Sequence, residues 1–536
     1  MNPQLLRTAL VGTSRGSAGM PLDREHPAEA LLAGLAPSDP ESDLLLRAGL
    51  QAVFAAAGRV CDEGVAPLPA ASSETALRPD DRLAGLLRGG LALDASGLFA
   101  GLLDELAARN LHLPYELLPE VLPLTDSTLQ QKLLPVLGER GRWLGSLNSQ
   151  WGWARQADET RSEPPTPDDL RQRIQEGELT ERCRALAVWR GLDPAAAREF
   201  LAGTLTGDSA EVRGRLLSEL ATGLDPADEP FLEACLDDRS AVVRRVAAQL
   251  LARLPESALT RRMCDRGQAM LTCAGRGLDS ATPTLVCAAP EAIDKGWERD
   301  GIPRKPAGGG GQRAGWVEGV FELIRPSHWV THWGASPEAL IEGLREDPFG
   351  PSIVAGWSRA CRRFAADDPA SARWASPLWD HWESALNRHP EAQQGAILEH
   401  LSSLLQTLDA SAAQTRVMDL VERRRGMEEP AILGLLDALP HRWSERCARQ
   451  FLDQTRAVLR QASESFALHW IRHLPLAARA IPPSQFAAAL QPWDLTAQKS
   501  RSPWTVTALE RELDRFQEVV RLRRDFHEVV NSSSSS

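Results

Sequence analysis

Lysine is nearly missing from this 536-residue chain: it stands only at positions 132, 295, 305 and 499, and arginine supplies the other long cationic side chains. That bias reads first as GC-rich coding and only distantly as arginine-specific recognition. Tyrosine occurs once, at Tyr115, and β-branched residues are sparse beside Ala and Leu, which favours helix over sheet. No run of about 18 uninterrupted apolar residues exists, so no membrane span is expected. The short apolar run Ala9-Leu10-Val11 stops at Gly12 and does not build a secretory signal. The eight cysteines, at 61, 183, 235, 264, 273, 287, 361 and 447, contain no CxxC pair. Cys183 and Cys235 fall in apolar helical pattern, as small buried hydrophobes do, and a reduced, cytoplasmic chain is the expectation. Net charge is −12, which argues against a broad nucleic-acid or anionic-membrane surface.

What the chain does have is a repeat. Phe200-Leu201 recurs as Phe231-Leu232, Leu205 as Leu236, Val212-Arg213 as Val243-Arg244 and Leu220 as Leu251, each 31 residues on. The turns Gly191-Leu192-Asp193-Pro194 and Gly223-Leu224-Asp225-Pro226 lie 32 apart, so one residue of slip sits in the turn. Stepping back 31 from Arg213 lands on Arg182, with Leu186 and Trp189 following. A period of this size means one helical hairpin per repeat, each too thin to bury its apolar face alone. A chain this long is also too long for one compact core unless that core is spread along a solenoid.

Residues 1–160 read as an N-terminal region of short helices. Asp43 is the expected cap of a helix carrying Leu44, Leu45, Leu46, Leu50 and Phe54, and Ser96 of one carrying Leu98, Phe99, Leu102, Leu103 and Leu106. Thr125-Asp126-Ser127 opens another, which Pro135 should kink or displace. Trp143, Trp151 and Trp153 fall in an expected packed turn. Ser162 to Asp168, with three prolines in four positions, is a linker whose Asp pair caps the next helix. The repeat block occupies 168–275. Its Asp208 and Asp238 precede Arg213 and Arg244, and such side chains can pair along inter-helix turns. A Gly/Pro-rich connector loop spans 276–315, a Trp-rich helical region 316–530, and a disordered tail 531–536. In the Trp-rich region Trp329 and Trp333 are i, i+4 partners. The last helix carries Leu509, Leu513, Phe516, Val519, Leu522, Phe526 and Val529 as one stripe and should cap the C-terminal end.

The stretch Phe231 to Leu254 resembles the short HEAT-like repeat, in which an Asp turn precedes Val-Arg and an Ala/Leu-rich second helix. The resemblance covers roughly two repeats and a degenerate third. It implies an all-α fold: an α-solenoid of short HEAT-like hairpins flanked by irregular helical regions. Three further segments, Ala9 to Thr13, Leu133 to Leu144 and Leu254 to Met263, resemble an uncharacterised bacterial helical family. That family is encoded near SWIM zinc-finger proteins, MoxR-type AAA ATPases and von Willebrand A-domain proteins. The resemblance implies an accessory or adaptor role and carries over no site residue.

Gly12-Thr13-Ser14-Arg15-Gly16 matches GxSxG, but a nucleophile elbow needs sheet strands upstream, and only 11 residues precede it. The glycine runs at 12–19 and 308–315 lack the GK[ST] ending of a phosphate loop. His328 and His332 share a helical face without a second ligand set, and flanking Trp329 and Trp333 point to packing. His381-Trp382-Glu383 echoes the HxE of zinc deaminases without a PCxxC downstream. Arg244-Arg245, Arg261-Arg262 and Arg423-Arg424-Arg425 each have acids nearby, as solvated helix faces do. No catalytic, cofactor-binding or metal residue is assigned, and no cofactor. The expectation is a non-catalytic scaffold or adaptor with a protein partner. The alternatives are a HEAT-like nucleic-acid-binding protein, such as a DNA-repair glycosylase, and a metal-dependent enzyme.

Overall fold

The computed structural model describes residues 8–10, 12–13, 39–57, 68, 70–93, 97–155, 165–276, 282–306, 311–388, 391–424, 428–440, 442–498 and 502–533. They divide into two compact units, 1–71 and 72–536. Among the described residues the regular structure is helical apart from one two-stranded hairpin and an isolated bridge, so the protein is essentially all-α. Ser14, Ser96 and Arg425 lie outside the described residues, as do 162–164 of the expected linker and 308–310 of the second glycine run.

In the first unit, helix α1 (Pro40–Ala57) is capped by Asp39, whose carboxylate accepts from the Ser42 amide at 2.8 Å. This corrects the expected cap: Asp43 sits inside the first turn and pairs with Arg47 at 2.9 Å.

The second unit begins with α2 (Arg82–Leu93), α3 (Leu98–Ala108), α4 (Ser127–Leu133) and α5 (Gly138–Leu147). Helix α4 opens within Thr125-Asp126-Ser127 as expected, with Asp126 as its cap accepting from Thr128 and Leu129, and the chain tightens to a 3-10 turn over Leu134–Val136 at Pro135. Trp143 lies in α5 rather than in a turn, whereas Trp151 and Trp153 occupy the 3-10 segment Ser149–Arg155.

Then come α6 (Pro167–Glu176), α7 (Leu179–Leu192), α8 (Pro194–Thr204), α9 (Ala210–Ser218), α10 (Glu229–Cys235), α11 (Ala241–Arg253) and α12 (Ala258–Met270). Thr166, not the Asp pair, caps α6; Asp169 completes a capping box by returning a carboxylate to Thr166. Within the repeats α7 packs on α9 and α9 on α11. Polar groups fix that register. Arg182 makes a two-pronged contact with Asp208 (2.9 and 2.6 Å), and Arg213 makes the same contact with Asp238 (3.1 and 2.8 Å). Each arginine therefore reaches the turn of the next unit. In the last copy Arg244 meets no such Asp among the described residues and donates instead to the Glu298 carbonyl at 3.0 Å.

The 276–315 stretch is not a plain loop. Strands β1 (Leu271–Arg276) and β2 (Pro283–Cys287) pair antiparallel, Leu271 opposite Cys287, with a bulge at Cys273/Gly275. Along β2 burial alternates, as period-2 structure requires. A short α13 (Lys295–Arg299) follows, and acids and arginines clamp this segment to the repeats. Asp300 takes Arg262 at 2.8 Å and Arg266 at 2.7 Å, while Arg299 bridges Glu233 and Asp237 at 3.2 and 2.7 Å.

Beyond it lie α14 (Gln312–Glu322), α15 (Pro326–Trp333), α16 (Gly350–Phe364), α17 (Ala375–Arg388), α18 (Ala410–Arg424), α19 (Glu445–Gln461), α20 (Leu474–Ala480) and α21 (Pro503–Ser533). Trp329 and Trp333 stack at 5.1 Å between centroids, with Trp329 fully buried. Helix α21 does more than cap the C-terminal end: it packs on α20 and also on α2 and α3, so the first and last helices of the unit meet. Arg109, which caps the C-terminal end of α3, donates to Asn531 at 3.0 Å, and helix α21 runs on through Ser533. The expected tail at 531–536 therefore begins in ordered helix, and 534–536 lie outside the described residues.

Candidate functional site

A cleft of about 280 Å³ opens where α11, the 301–306 segment, α14 and α16 converge. Its walls meet closely because glycines let them. Gly301 adopts φ +85°, and a Cβ there would lie 2.9 Å from the Ala248 methyl. A Cβ on Gly315 would come within 2.4 Å of Pro306, and one on Gly356 within 2.8 Å of the Glu318 carbonyl. A side chain at any of these places would push a wall away.

Glu318 and Glu322, one turn apart on α14, face Arg359 and Arg363, also four apart, on α16. Arg359 contacts Glu318 and lies 3.6 Å from Glu322, and Arg363 pairs with Glu322. Burial pushes the Glu318 carboxyl above its ordinary value, and the neighbouring Glu322 charge adds to this against the pull of Arg359. Burial likewise lowers the Arg363 pKa, with like charges at Arg362 and Arg245 adding to it against Glu322. At the mouth, α11 presents Arg245 and Gln249.

The arginine runs singled out in the sequence separate into different environments. Arg244 turns inward to the carbonyls of Asp238, Arg239 and Glu298, whereas its neighbour Arg245 lines the cleft. Arg262 is held by Glu233 and Asp300. Arg423 pairs with Glu383, and Arg424 with Glu429 at 2.6 Å. These three guanidinium groups are committed to carboxylates. The cleft residues Gln249, Glu318, Glu322 and Arg359 were not singled out by sequence. Their signal was present, an i, i+4 pair of glutamates and an i, i+4 pair of arginines, but nothing in one dimension says the two pairs meet.

His328 and His332 do share a face: their rings stack with centroids 5.8 Å apart. His328 Nδ1 is 3.9 Å from Cys264 Sγ, and its Nε2 is 3.1 Å from the Gln268 amide. Burial, and then the neighbouring His332, lower its pKa. Glu383 of the His381-Trp382-Glu383 triplet accepts from Trp379 Nε1 at 3.0 Å. Among the described residues no group of three or more His, Cys, Asp or Glu is arranged to hold a metal ion. No described helix is long and apolar enough to cross a membrane.

Thiol reactivity follows burial. Desolvation pushes the thiols of Cys235, Cys361 and Cys447 up to about 12, with the nearby Asp238 adding to this at Cys235. Cys273, on β1, is exposed. A thiol-directed reagent at neutral pH is expected to modify Cys273 in the native protein and the other three only after unfolding. Peptide mapping by mass spectrometry checks this; native labelling of Cys361 would contradict the packing described.

A family model described as "Family of unknown function (DUF5691)" matches residues 4–530. No curated protein and no solved structure matches the chain.

Proposed function

The chain belongs to that family of unknown function, which supplies no chemistry to inherit, and from this premise we propose a non-catalytic scaffold that holds a protein partner. The observation that carries the reading is where the reactive groups are spent. In the repeat block the arginines and aspartates lock one hairpin to the next, through Arg182–Asp208 and Arg213–Asp238. The arginines that could have met phosphates at 262, 423 and 424 are tied to carboxylates. Such a surface keeps its shape rather than reacts, which suits a binding platform. The finer reading places the protein in a reducing cytoplasm, as an accessory to an AAA ATPase and von Willebrand A-domain system. The weaker nucleic-acid reading loses support from those same arginine pairs.

The test is affinity capture from the native host with wild type and Arg213→Ala. Breaking the register at Arg213, whose guanidinium is almost fully buried, should shift the face that the stacked helices present. An AAA ATPase or von Willebrand A-domain protein is expected with wild type and in at least severalfold lower yield with the variant. Recovery of the wild-type chain alone, or equal yield from both, would count against the scaffold. Salt-sensitive recovery of nucleic acid would favour the other reading.

A further inference from the structure

The charges lining the cleft do not sum to nothing. Glu318 and Glu322 are answered by Arg359 and Arg363, and this leaves Arg245. Arg245 is exposed, makes no ion pair among the described residues, and stands close enough to Arg363 to oppose its charge. Gln249 lies four residues on along α11, so the two side chains rise on one face of the helix, at the same edge of the cleft. Nearby backbone amides are already committed: Gly301 donates to the Glu298 carbonyl and Ile302 to that of Trp297. Ala248, Ile302, Pro303 and Leu323 add apolar side chains to the same lining.

We infer that this cleft is a carboxylate-binding site, in which Arg245 grips the oxyanion and the Gln249 amide donates to the same group. A guanidinium fork matches a planar carboxylate through two parallel hydrogen bonds, and an amide N–H adds a third. The ligand carries one negative charge. A phosphate dianion would face Glu318 and Glu322 across the cleft with a single uncommitted arginine to offset them. At about 280 Å³ the space is just below the usual range of small-molecule sites and takes a short carbon chain rather than a nucleotide. Such a carboxylate is offered equally by a small organic acid and by a glutamate on a partner's surface. The site does not depend on the scaffold reading, since a free acid would fill it with no partner present.

Titration calorimetry of the full chain at low ionic strength tests the assignment with three probes: butyrate, the peptide acetyl-Gly-Glu-Gly-amide, and inorganic phosphate. One or both carboxylate probes should saturate, and phosphate should bind more weakly. Butyrate alone would mark a free acid as the ligand, the peptide alone an acidic segment of a partner. Arg245→Ala should weaken carboxylate binding at least about tenfold, the loss expected for a charge-assisted pair. Arg245→Lys, which keeps the charge but not the fork, should fall between. Because Arg245 is exposed and makes no ion pair among the described residues, both variants should melt like wild type, and Arg261→Ala, an exposed arginine outside the cleft, should bind like wild type. Failure of both carboxylates to saturate, phosphate binding as tightly as they do, or unchanged binding by Arg245→Ala would each overturn the site. Capture of an ATPase partner could still succeed after any of those results.

Discussion

Replacing Arg190 with methionine is expected to destabilise the second unit by about 3–5 kcal/mol, the range for removing one partner of a fully buried ion pair. Neither the Arg190 nor the Asp228 side chain is exposed at all. Arg190 projects from the end of α7 into the second Gly-Leu-Asp-Pro turn, where it donates to the carbonyls of Thr222 and Gly223 at 3.0 and 2.7 Å. It also meets both oxygens of Asp228 at 3.0 and 2.7 Å. Without it those carbonyls and the carboxylate stay buried, with Arg198, at 2.9 Å, the remaining cation on Asp228 among the described residues. Asp228→Asn in the same background should recover part of the loss, because the stranded charge is then gone. Urea unfolding of the two single variants and the double variant measures the coupling; strictly additive losses would sink the account.

The same pair has a pH signature. Burial works against the Asp228 charge, but hydrogen bonds from Arg190, Arg198 and the Asp225 amide outweigh it and hold the pKa below the ordinary 3.8. A depressed folded pKa means the unfolded chain binds the proton more readily. The contribution is therefore full above about pH 4 and lost as pH falls through the folded value. Asp228→Asn should remove that part of the acid dependence.

The helical class was legible from the shortage of sheet-forming residues, and the 31-residue spacing of apolar positions stands in the sequence itself. Which charges pair was not. Asp208 and Arg213 are neighbours in sequence, yet Asp208 gives its carboxylate to Arg182 of the previous hairpin and only its carbonyl to Arg213, at 2.8 Å. Stacking brings units a repeat apart into contact, and a search within one unit cannot see it. The one-residue slip between turns also has a physical form. Gly191 belongs to helix α7, whereas Gly223 turns left-handed at φ +58° directly against the Arg190 carbonyl. The hairpin β1–β2 was hidden by its length, since a five-residue alternation such as Pro283 to Cys287 is too short to stand out in a helical sequence. The cleft was hidden because its walls come from four separate segments that only the fold unites.

Trp357→Ala is the other large effect expected, again about 3–5 kcal/mol, because a fully buried aromatic leaves a cavity that its neighbours fill only in part. Those neighbours are themselves large and interlocked. Trp374 meets the Trp357 ring edge-on at 4.8 Å, Phe321 at 6.1 Å, and Trp329 lies at 6.4 Å. Phenylalanine at the same place should cost clearly less. The Trp357 indole N–H meets no hydrogen-bond acceptor among the described residues, so its removal forfeits packing alone. Trp470 is the contrast. Its indole donates to Thr455 Oγ1 at 3.0 Å, so Trp470→Phe should lose about 0.5–1.5 kcal/mol more than Trp357→Phe does. Equal losses from the two phenylalanine variants would mean that the Trp357 N–H is satisfied after all. The alanine variant also reaches the cleft, because Gly356, Trp357, Arg359 and Arg363 share helix α16. When the aromatic anchor is gone, the close approach of Gly356 to α14 is no longer enforced, and Arg359 and Arg363 lose their alignment with Glu318 and Glu322. Trp357→Ala should therefore weaken carboxylate binding at Arg245 without touching that residue, whereas Trp470→Phe, on a helix that does not line the cleft, should leave it unchanged.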